Sequence, residues 1–320
     1  MAKPVFFPVV AIFLLLALLL GGCGMEQEPP LRIGTNLWPG YEPLYLARDL
    51  GYLDGTPVQL KEFPSASEVI RAFRNGTLEG AALTLDEVLL SLESGMDLAL
   101  VLVFDISHGA DVILGRPGIT TLADLRGRSV GVEASALGAY LLSRALQLAG
   151  LQPTDVRMIP LPVDEHPRAW QEERIDALVT FEPVRGQLLN QGAVELFDSS
   201  QIPGEIVDVL VVRRDVLKAR PERVQALLTA WFKALDYLQA EPADAANRIV
   251  RRLKISPQAL QDALQGLRLP DQAENLALVG GPNPTLAASA DRLHGLMLDL
   301  KLLKAPVAVN GLFVPPPPAP

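Results

Sequence analysis

Short strand-like segments alternate with helix-like segments along most of the chain, and this alternation constrains the fold more than any other feature. Leu31–Thr35 alternates apolar and polar residues as a half-buried strand does, whereas Ala136–Ala149 places apolar residues on one face of a helix. Leu98–Phe104 is a continuous apolar run, which is typical of a strand covered on both faces. Strands that alternate with helices form parallel sheets flanked by helices, so the sequence predicts an α/β architecture.

The alternation falls into two sets, which indicates two lobes. The first set ends near Leu114, the second begins near Gly115–Gly118, and the segments after Pro221 are largely helical. The 320 residues suffice for two domains of roughly 100 to 200 residues each. Ligands of open α/β sheets bind at the carboxyl ends of strands, so two facing lobes would place those ends around one cleft.

An uncharged apolar run near the N-terminus, Val5–Leu20, follows Lys3 and ends shortly before Cys23, the single cysteine of the chain. The run is shorter than the roughly 20 residues of a membrane-spanning helix and has the layout of a secretory signal peptide. It also resembles the lipobox of bacterial lipoproteins, in which the cysteine receives a diacylglyceryl group and becomes residue one. This resemblance predicts a signal peptide over 1–22, lipidation of Cys23, a tether over 23–30 and a membrane partner reached through the lipid. An ordinary signal peptide with an incidental cysteine, and an uncleaved anchor, are the alternatives.

Charge and histidine spacing exclude several classes of function. The formal net charge is −9 and the basic residues are scattered, so we expect no nucleic-acid partner. His108, His166 and His294 are far apart and show no paired metal-ligand spacing, so we expect no metal and no cofactor. The sequence contains no nucleophile elbow and no phosphate loop, so we expect no catalytic residues and no enzymatic activity. We also expect a monomer with a proline-rich tail over 304–320.

Four segments of the chain resemble those of one known family. They are GTNLWPGYEPLYLA at Gly34–Ala47, SASEVIRAFRNG at Ser65–Gly76, LADLRGRSVGV at Leu122–Val132 and DALVTFEP at Asp176–Pro183. These segments are similar to those of the nitrate/taurine-type solute-binding proteins of ATP-binding-cassette (ABC) importers, which include sulfonate and thiamine-pyrimidine binders. The resemblance extends from Leu31 to Leu303.

The resemblance implies a type II periplasmic-binding-protein fold, with two lobes and a ligand cleft between them. It implies that the chain crosses between lobes near Leu114–Arg116 and near Pro203–Glu205, where glycines suit a hinge that closes on ligand. Lobe 1 would comprise residues 31–113 and 206–303, and lobe 2 residues 114–205. The implied function is that of an exported lipoprotein, in the periplasm or on the outer face of the cytoplasmic membrane. It would capture a small polar molecule and deliver it to an ABC permease.

Candidate ligand-binding residues occupy the loops that follow the predicted strands. Trp38 offers a flat apolar face, and Asn36 offers an amide that donates and accepts hydrogen bonds. Gly138 permits a close approach of the backbone to a ligand. The predicted ligand-binding residues are Asn36, Trp38, Tyr41, Ser65, Ser67, Thr84, Asp86, Ser107, Glu133, Ser135, Gly138, Phe181 and Glu182.

Several of these candidates also have a purely structural interpretation. The segment Trp38–Tyr41 could be a packed turn. A serine at a helix N-terminus could hydrogen-bond an anionic ligand there or only cap the helix. Helix capping would explain Ser65, Ser67, Asp86 and Glu182, core packing would explain Phe181, and a plain turn would explain Ser107.

Acidic residues outnumber basic ones in these loops, which bears on the ligand. The nearby strong base is Arg185, with His108 and His166 undecided. A dedicated sulfonate or nitrate pocket would hold an arginine or a lysine, so we favour a cationic or neutral polar nitrogen compound stacked on Trp38 or Phe181. A sulfonate is the alternative, because helix N-termini hold anions without any base. The acids are Glu42, Glu68, Asp86, Asp105, Glu133, Asp164, Glu165 and Glu182.

Two other functions fit the same chain. An extracytoplasmic sensor would report ligand binding to a membrane signalling partner, and the neighbouring genes would separate this function from import. A thiamine-pyrimidine synthase that resembles these binders carries a cysteine-rich motif, whereas this chain has Cys23 alone. A synthase-like enzyme is therefore the weakest alternative.

Overall fold

The computed structural model describes residues 29–133 and 136–314. The chain divides into two compact units, Met1–Pro30 and Leu31–Pro320, and the architecture below is that of the second unit. The predicted signal peptide, the lipidation site Cys23 and the ligand-binding candidate Ser135 lie outside the described residues. Across the described ranges, no helix combines the length and the hydropathy that crossing a membrane requires.

The strands form two separate sheets. In chain order the strands are β1 (Leu31–Thr35), β2 (Val58–Glu62), β3 (Gly80–Thr84), β4 (Leu98–Ser107), β5 (Val112–Gly115), β6 (Ser129–Val132), β7 (Arg157–Pro160), β8 (Ala177–Thr180), β9 (Val194–Asp198), β10 (Val207–Arg213) and β11 (Leu267–Arg268). The first sheet has the order β11-β4-β10-β3-β1-β2, and the second has the order β7-β6-β8-β5-β9. Two sheets interleaved with helices along the chain confirm the predicted α/β architecture.

Helices connect the strands and cover the sheets. In chain order they are α1 (Glu42–Asp49), α2 (Ala66–Arg74), α3 (Leu85–Glu93), α4 (Ala136–Leu148), α5 (His166–Gln171), α6 (Val184–Leu189), α7 (Arg214–Ala219), α8 (Pro221–Ala240), α9 (Pro242–Leu253), α10 (Pro257–Gln265), α11 (Gln272–Val279) and α12 (Thr285–Asp299). Local capping explains where two of the cleft helices begin. The side chain of Ser65 accepts a hydrogen bond from the Glu68 N–H at the start of α2, and Glu87 accepts one from the Thr84 N–H at the start of α3.

Both sheets are mixed, so the prediction of parallel sheets is wrong for part of each. In the first sheet β10 runs antiparallel to its neighbours β3 and β4, and in the second sheet β5 runs antiparallel to β8 and β9. Each of these is the first strand that the chain enters after it crosses to the other sheet. A chain that leaves one sheet at a carboxyl end reaches the facing sheet from the same side. The next strand therefore runs against its neighbours.

The chain crosses between the sheets twice. The first crossing lies between the end of β4 and the start of β5, so the crossing predicted near Leu114–Arg116 is placed too late in the sequence. Residues 112 and 113, assigned from the sequence to the first lobe, pair with strands of the second sheet because they begin β5. The return lies between β9 and β10, in a segment that includes Pro203–Glu205.

Aromatic packing fixes the loop after β1 against the first sheet. The ring centroids of Tyr41 and Phe104 are 5.1 Å apart, and those of Phe104 and Trp231 are 4.8 Å apart. Phe104 lies on β4 and Trp231 on α8, and both are fully buried. Edge-to-face contacts of this kind add to the free energy of simple burial. The loop that carries Trp38 and Tyr41 is therefore held firmly at the end of the sheet.

Candidate functional site

A cavity lies where strand ends of the two sheets face each other. Its empty space of about 530 Å³ includes open solvent, so the cavity is accessible from outside. The first sheet contributes the loop after β1 and the end of β3, and the second contributes residues after β6 and at the end of β8. The lining residues are Asn36, Trp38, Tyr41, Ala66, Thr84, Glu87, Asp111, Glu133, Leu137, Gly138, His166, Val179, Thr180, Phe181 and Asp208.

The predicted residues and the lining residues overlap in part. The cavity brings together the predicted residues Asn36, Trp38, Tyr41, Thr84, Glu133, Gly138 and Phe181. Of the remaining predicted residues that the structure describes, Ser65, Ser67, Asp86, Ser107 and Glu182 lie outside the lining. The lining also includes residues outside the predicted set, namely Ala66, Glu87, Asp111, Leu137, His166, Val179, Thr180 and Asp208.

Three of the predicted residues outside the lining make hydrogen bonds within the protein, two of them at helix starts. The side chain of Ser65 caps the start of α2. Ser107 Oγ lies 2.7 Å from Ser199 Oγ, beside the two crossings between the sheets. Glu182 Oε2 accepts a hydrogen bond of 3.1 Å from the Gly186 N–H within α6. For Ser65 and Glu182 these contacts match the capping interpretation.

Two aromatic rings meet across the cavity. Trp38 follows β1 of the first sheet and Phe181 follows β8 of the second, with ring centroids 5.2 Å apart and planes at 87°. The Trp38 Nε1–H donates a hydrogen bond of 3.0 Å to Asp105 Oδ2. Gly40 packs against this pair, since an added Cβ would overlap the Asp105 carboxylate. A buried carboxylate therefore orients the indole ring that faces the second sheet.

Strand register places polar side chains side by side beneath the cavity. Asp208 on β10 lies opposite Thr84 on β3 and opposite Asp105 on β4. The Tyr41 hydroxyl donates a hydrogen bond to Asp208 Oδ1. Asp208 reaches this position because β10 is inserted between β3 and β4, from a point far along the chain. Asp208 is absent from the predicted set for that reason, and because the sequence of β10 is otherwise apolar.

The acids in and behind the cavity are buried, and burial raises their pKa values. The pKa of Asp111 rises from 3.8 to about 7, and those of Glu87 and Asp208 also rise. Burial is the main cause of each shift, because it disfavours the charged carboxylate, and a neighbouring carboxylate raises each pKa further. Burial also raises the pKa values of Asp86 and Asp105. Oδ2 of Asp111 has no hydrogen-bond partner among residues 29–133 and 136–314.

Two basic groups near the cavity, His166 and Arg185, are respectively neutral and paired with carboxylates. His166 lines the cavity, and its ring nitrogens lie 3.2 Å from Thr180 Oγ1 and 3.3 Å from the Leu161 carbonyl oxygen. Burial lowers the pKa of His166 to about 4, so this ring is neutral near pH 7. Arg185 lies outside the lining and forms ion pairs with Glu182 and Glu195. Among the described lining residues there is no lysine and no arginine.

A hydrogen-bonded pair spans the cavity between the sheets. Glu133 Oε1 accepts hydrogen bonds of 3.0 Å from both the backbone N–H and the hydroxyl of Ser67. Glu133 follows β6 of the second sheet, and Ser67 lies in the first turn of α2, which packs on the first sheet. The cavity wall therefore includes a direct polar contact between the two halves.

The carboxyl groups that line the cavity suit an organic cation better than a metal ion. Within the described part of the chain, no group of three or more His, Cys, Asp or Glu side chains is arranged to hold a metal. The lining carboxylates instead come from separate elements on both sides of the cavity. Carboxylates form their strongest hydrogen bonds with charged N–H donors. The arrangement can therefore surround a small molecule that carries ammonium-like nitrogen.

Comparison with known proteins gives the family. The sequence profile of the NMT1-like family matches residues 24–254. The chain belongs to this family. The NMT1-like chain is 27% identical over 188 residues to a candidate binding protein of Brucella abortus, and the match covers 57% of the chain and 59% of that relative. It is 26% identical over 175 residues to a candidate aliphatic sulfonates-binding protein of Escherichia coli, covering 54% and 55%. The chain thus spans little more than half the length of these curated relatives.

A solved structure establishes the fold of this NMT1-like chain. The alkanesulfonate-binding protein SsuA from Xanthomonas axonopodis pv. citri, bound to MOPS, superposes with a TM-score of 0.74 at 20% identity. The match covers 88% of this chain and 96% of SsuA. The NMT1-like chain therefore has the two-lobed type II periplasmic-binding architecture. The resemblance to nitrate/taurine-type binding proteins is confirmed.

Proposed function

We propose that this NMT1-like protein is an extracytoplasmic solute-binding protein that captures a small cationic nitrogen compound and delivers it to an ABC permease. The cavity lining is the observation that carries the ligand class. Glu87, Asp111, Glu133 and Asp208 line the cavity, with no lysine or arginine among the described lining residues. Burial favours the protonated form of Glu87, Asp111 and Asp208 in the empty cavity. A bound cation would favour the ionised form and make charge-assisted hydrogen bonds with it, whereas an anion would find no cationic partner among the described lining residues.

The aromatic residues add to this preference. Trp38 and Phe181 border the same space as the carboxylates, and aromatic rings attract organic cations. A neutral polar nitrogen compound is the second form of the proposed ligand. Carboxyl groups with raised pKa values can donate as well as accept hydrogen bonds, and Asn36 can do both through its amide.

A sulfonate is the competing ligand. The relative in Escherichia coli is named for aliphatic sulfonates, and the SsuA structure contains MOPS, which is itself a sulfonate. These names support the capture of a small molecule for an importer. The lining argues against the sulfonate in this chain, because it offers an anion no lysine or arginine among its described residues.

The two sheets suggest how ligand is enclosed. We assign lobe 1 to the segments before the first crossing and after the return, and lobe 2 to the segment between the crossings. Trp38 contacts Phe181, and Ser67 contacts Glu133, across the cavity. Paired crossings of this kind serve as hinges in binding proteins that close around ligand. We propose that the same contacts form when the lobes close and separate when ligand leaves.

The proposed location follows from the lipobox and from the family. A diacylglyceryl group on Cys23 would hold the exported protein beside its permease, so that captured solute is released where it is needed. In this proposal the protein has no catalytic residues. A sensor with a membrane signalling partner would use the same cavity, and an enzyme like the thiamine-pyrimidine synthase would need a cysteine-rich motif, whereas the chain has Cys23 alone.

Thermal shift of the purified protein against a panel of small molecules tests the ligand class. The panel contains amines, quaternary ammonium compounds, pyrimidines, sulfonates and nitrate. A ligand at about 100 times its dissociation constant stabilises the folded state by roughly 2.7 kcal/mol, which is readily measured. We expect shifts with cationic or neutral nitrogen compounds. Tight binding of taurine or alkanesulfonates, with no response to amines or pyrimidines, would contradict the proposal.

Uptake measurements separate import from the alternatives. Deletion of the gene should abolish uptake of the radiolabelled ligand, and a gene for an ATPase and one for a permease should lie beside it. Normal uptake after deletion, together with a neighbouring membrane kinase or cyclase, would favour the sensor. Chemical conversion of the ligand by the purified protein would favour the enzyme.

A further inference from the structure

The first turn of α2 faces the cavity and presents backbone N–H groups that the helix itself cannot satisfy. The Ser65 side chain accepts the hydrogen bond of the Glu68 N–H. The Ser67 N–H, one position earlier, is satisfied by Glu133 Oε1 at 3.0 Å, and the Ser67 hydroxyl donates to the same oxygen at 3.0 Å. A carboxylate from the facing sheet thus completes the cap of α2.

The start of a helix is a natural binding position for an anion, because its N–H groups and its dipole both favour negative charge. In this protein the anion is supplied by the chain itself. Glu133 is 7% exposed and lines the cavity together with Ala66, the first residue of α2. An anionic solute at this position would have to displace the Glu133 carboxylate or lie against it.

The backbone of Glu133 is held in place from its own side of the cavity. A Cβ on Gly138 would lie 3.0 Å from the backbone N and O atoms of Glu133, so α4 packs closely against this residue. The carboxylate therefore reaches α2 from a fixed point at the end of β6. The contact joins residues 66 positions apart and links the two sheets directly.

From this geometry we infer that Glu133 is a specificity-determining residue: it occupies the anion position at the start of α2, excludes anionic solutes from the cavity and joins the two sheets. The inference rests on the proposed function in that the cavity binds a solute. The exclusion of anions can be tested whether or not a cation binds. The inference predicts that removal of the Glu133 carboxylate exposes the N-terminus of α2, which can then bind a sulfonate.

The test compares the wild type with Glu133→Ala, using MOPS as the anionic probe in calorimetric titration and thermal shift. We expect at least about a tenfold gain in MOPS affinity, which corresponds to about 1.4 kcal/mol. Glu274→Ala is the matched control, since Glu274 also sits in the first turn of a helix, α11, and lies outside the cavity lining. The control should leave MOPS binding at the wild-type level.

Glu133→Gln keeps the side-chain shape and replaces Glu133→Ala in the MOPS titration if the alanine variant fails to fold. Its amide oxygen can still accept from Ser67, but the negative charge is gone, so a smaller gain in MOPS affinity is expected. Ser67→Ala removes one donor from the same position and should reduce the gain when it is combined with Glu133→Ala. If Glu133 excluded anions only through its long-range charge, adding Ser67→Ala to Glu133→Ala would not reduce the gain in MOPS affinity.

The outcomes separate this inference from the ligand class proposed above. A folded Glu133→Ala protein that binds MOPS no better than the wild type overturns the inference, even if the wild type binds amines. A gain in MOPS affinity with no binding of any cation to the wild type supports the inference and rejects the cationic ligand. Tight MOPS binding by the wild type itself overturns both.

Discussion

The Trp38 Nε1–H donates a hydrogen bond of 3.0 Å to Oδ2 of Asp105, which lies on the buried strand β4. The same indole meets Phe181 of the second sheet edge to face. One carboxylate thus sets the position of a ring that borders the cavity. The hydrogen bond holds the loop after β1, which carries Trp38, against the first sheet.

Trp38→Phe should weaken both the fold and ligand binding. The variant keeps an aromatic ring but loses the N–H, so Oδ2 of the buried Asp105 side chain loses its donor, while Oδ1 already has no partner within the described residues. We expect a loss of about 1–3 kcal/mol in the free energy of unfolding, measured by urea denaturation. We also expect a lower affinity for the nitrogen compound found in the ligand screen, measured by calorimetry.

The matched control for this variant is Trp231→Phe. Trp231 is fully buried, and its Nε1 has no hydrogen-bond partner within the described part of the chain. It does not line the cavity. The control should lose packing energy but retain ligand affinity. Equal losses of affinity in the two variants would show that Trp38 acts only through the stability of the fold.

Gly40→Ala should disturb the same hydrogen bond while leaving both of its side chains, Trp38 and Asp105, unsubstituted. An added Cβ would overlap the Asp105 carboxylate and lie 2.5 Å from Trp38 Nε1. We expect a destabilisation of about 1–3 kcal/mol and reduced ligand affinity. Gly295→Ala on α12 is the control, because no neighbouring atom lies within 4 Å of its added Cβ. That variant should be neutral or more stable by up to about 1 kcal/mol.

The stability of the ligand-free protein should fall as pH rises from about 4 to about 7. In this window the folded protein still holds the proton of Asp111, whose pKa is raised from 3.8 to about 7, while the unfolded chain has lost it. Each such group contributes a slope of about 1.4 kcal/mol per pH unit within its window. Glu87, Asp105 and Asp208 contribute slopes of the same sign, because burial raises their pKa values too.

Asp111→Asn tests this account, because asparagine stays neutral at every pH. Urea denaturation at pH 5, 6, 7 and 8 should show a shallower fall than in the wild type. The variant should gain relative stability toward pH 8. Acids with lowered pKa values, such as Glu79 and Glu205, act in the opposite sense but only below about pH 4.5, outside the measured range. His166 also acts in the opposite sense, up to about pH 6.5, because burial lowers its pKa to about 4, but it is common to both proteins and cancels from their difference. Parallel profiles for the two proteins would mean that Asp111 is ionised in the fold.

Cys23→Ser should release the protein from the membrane and leave solute binding unchanged. The expectation follows from the lipobox-like sequence, since serine cannot receive the thioether-linked lipid. Cell fractionation measures the release, and calorimetry on the soluble variant measures the affinity. Membrane retention of the variant would point to an uncleaved anchor, and lost affinity in a folded variant would contradict the separation of anchoring from binding.

Local chemistry made much of the fold predictable. The strand over Leu31–Thr35 and the capping residue Ser65 follow from neighbours within a few positions, and the structure confirms them. Asn36, Trp38 and Tyr41 lie in the loop after the first strand, and the structure places all three in the cavity lining.

Residues brought in by distant parts of the chain could not be found in this way. Asp208 is one acid in an apolar strand, and it reaches the cavity only because β10 pairs with both β3 and β4. Asp111 follows the buried strand β4, but its exposure depends on where the chain crosses to the second sheet. The role of Glu133 as a partner of Ser67 depends on how the two sheets face each other. None of these relations has a signal in nearby sequence.

The position of β10 has a consequence for how the chain is made. β3 and β4 are complete by Ser107, whereas their shared neighbour β10 begins at Val207. Because a polypeptide emerges from its N-terminus, every strand of the second sheet is synthesised while the first sheet still lacks a central strand. The inserted lobe can complete its own sheet during that interval, and the first lobe is finished last. Termination before Val207 would leave the edges of β3 and β4 that pair with β10 exposed, which is the kind of surface that drives aggregation.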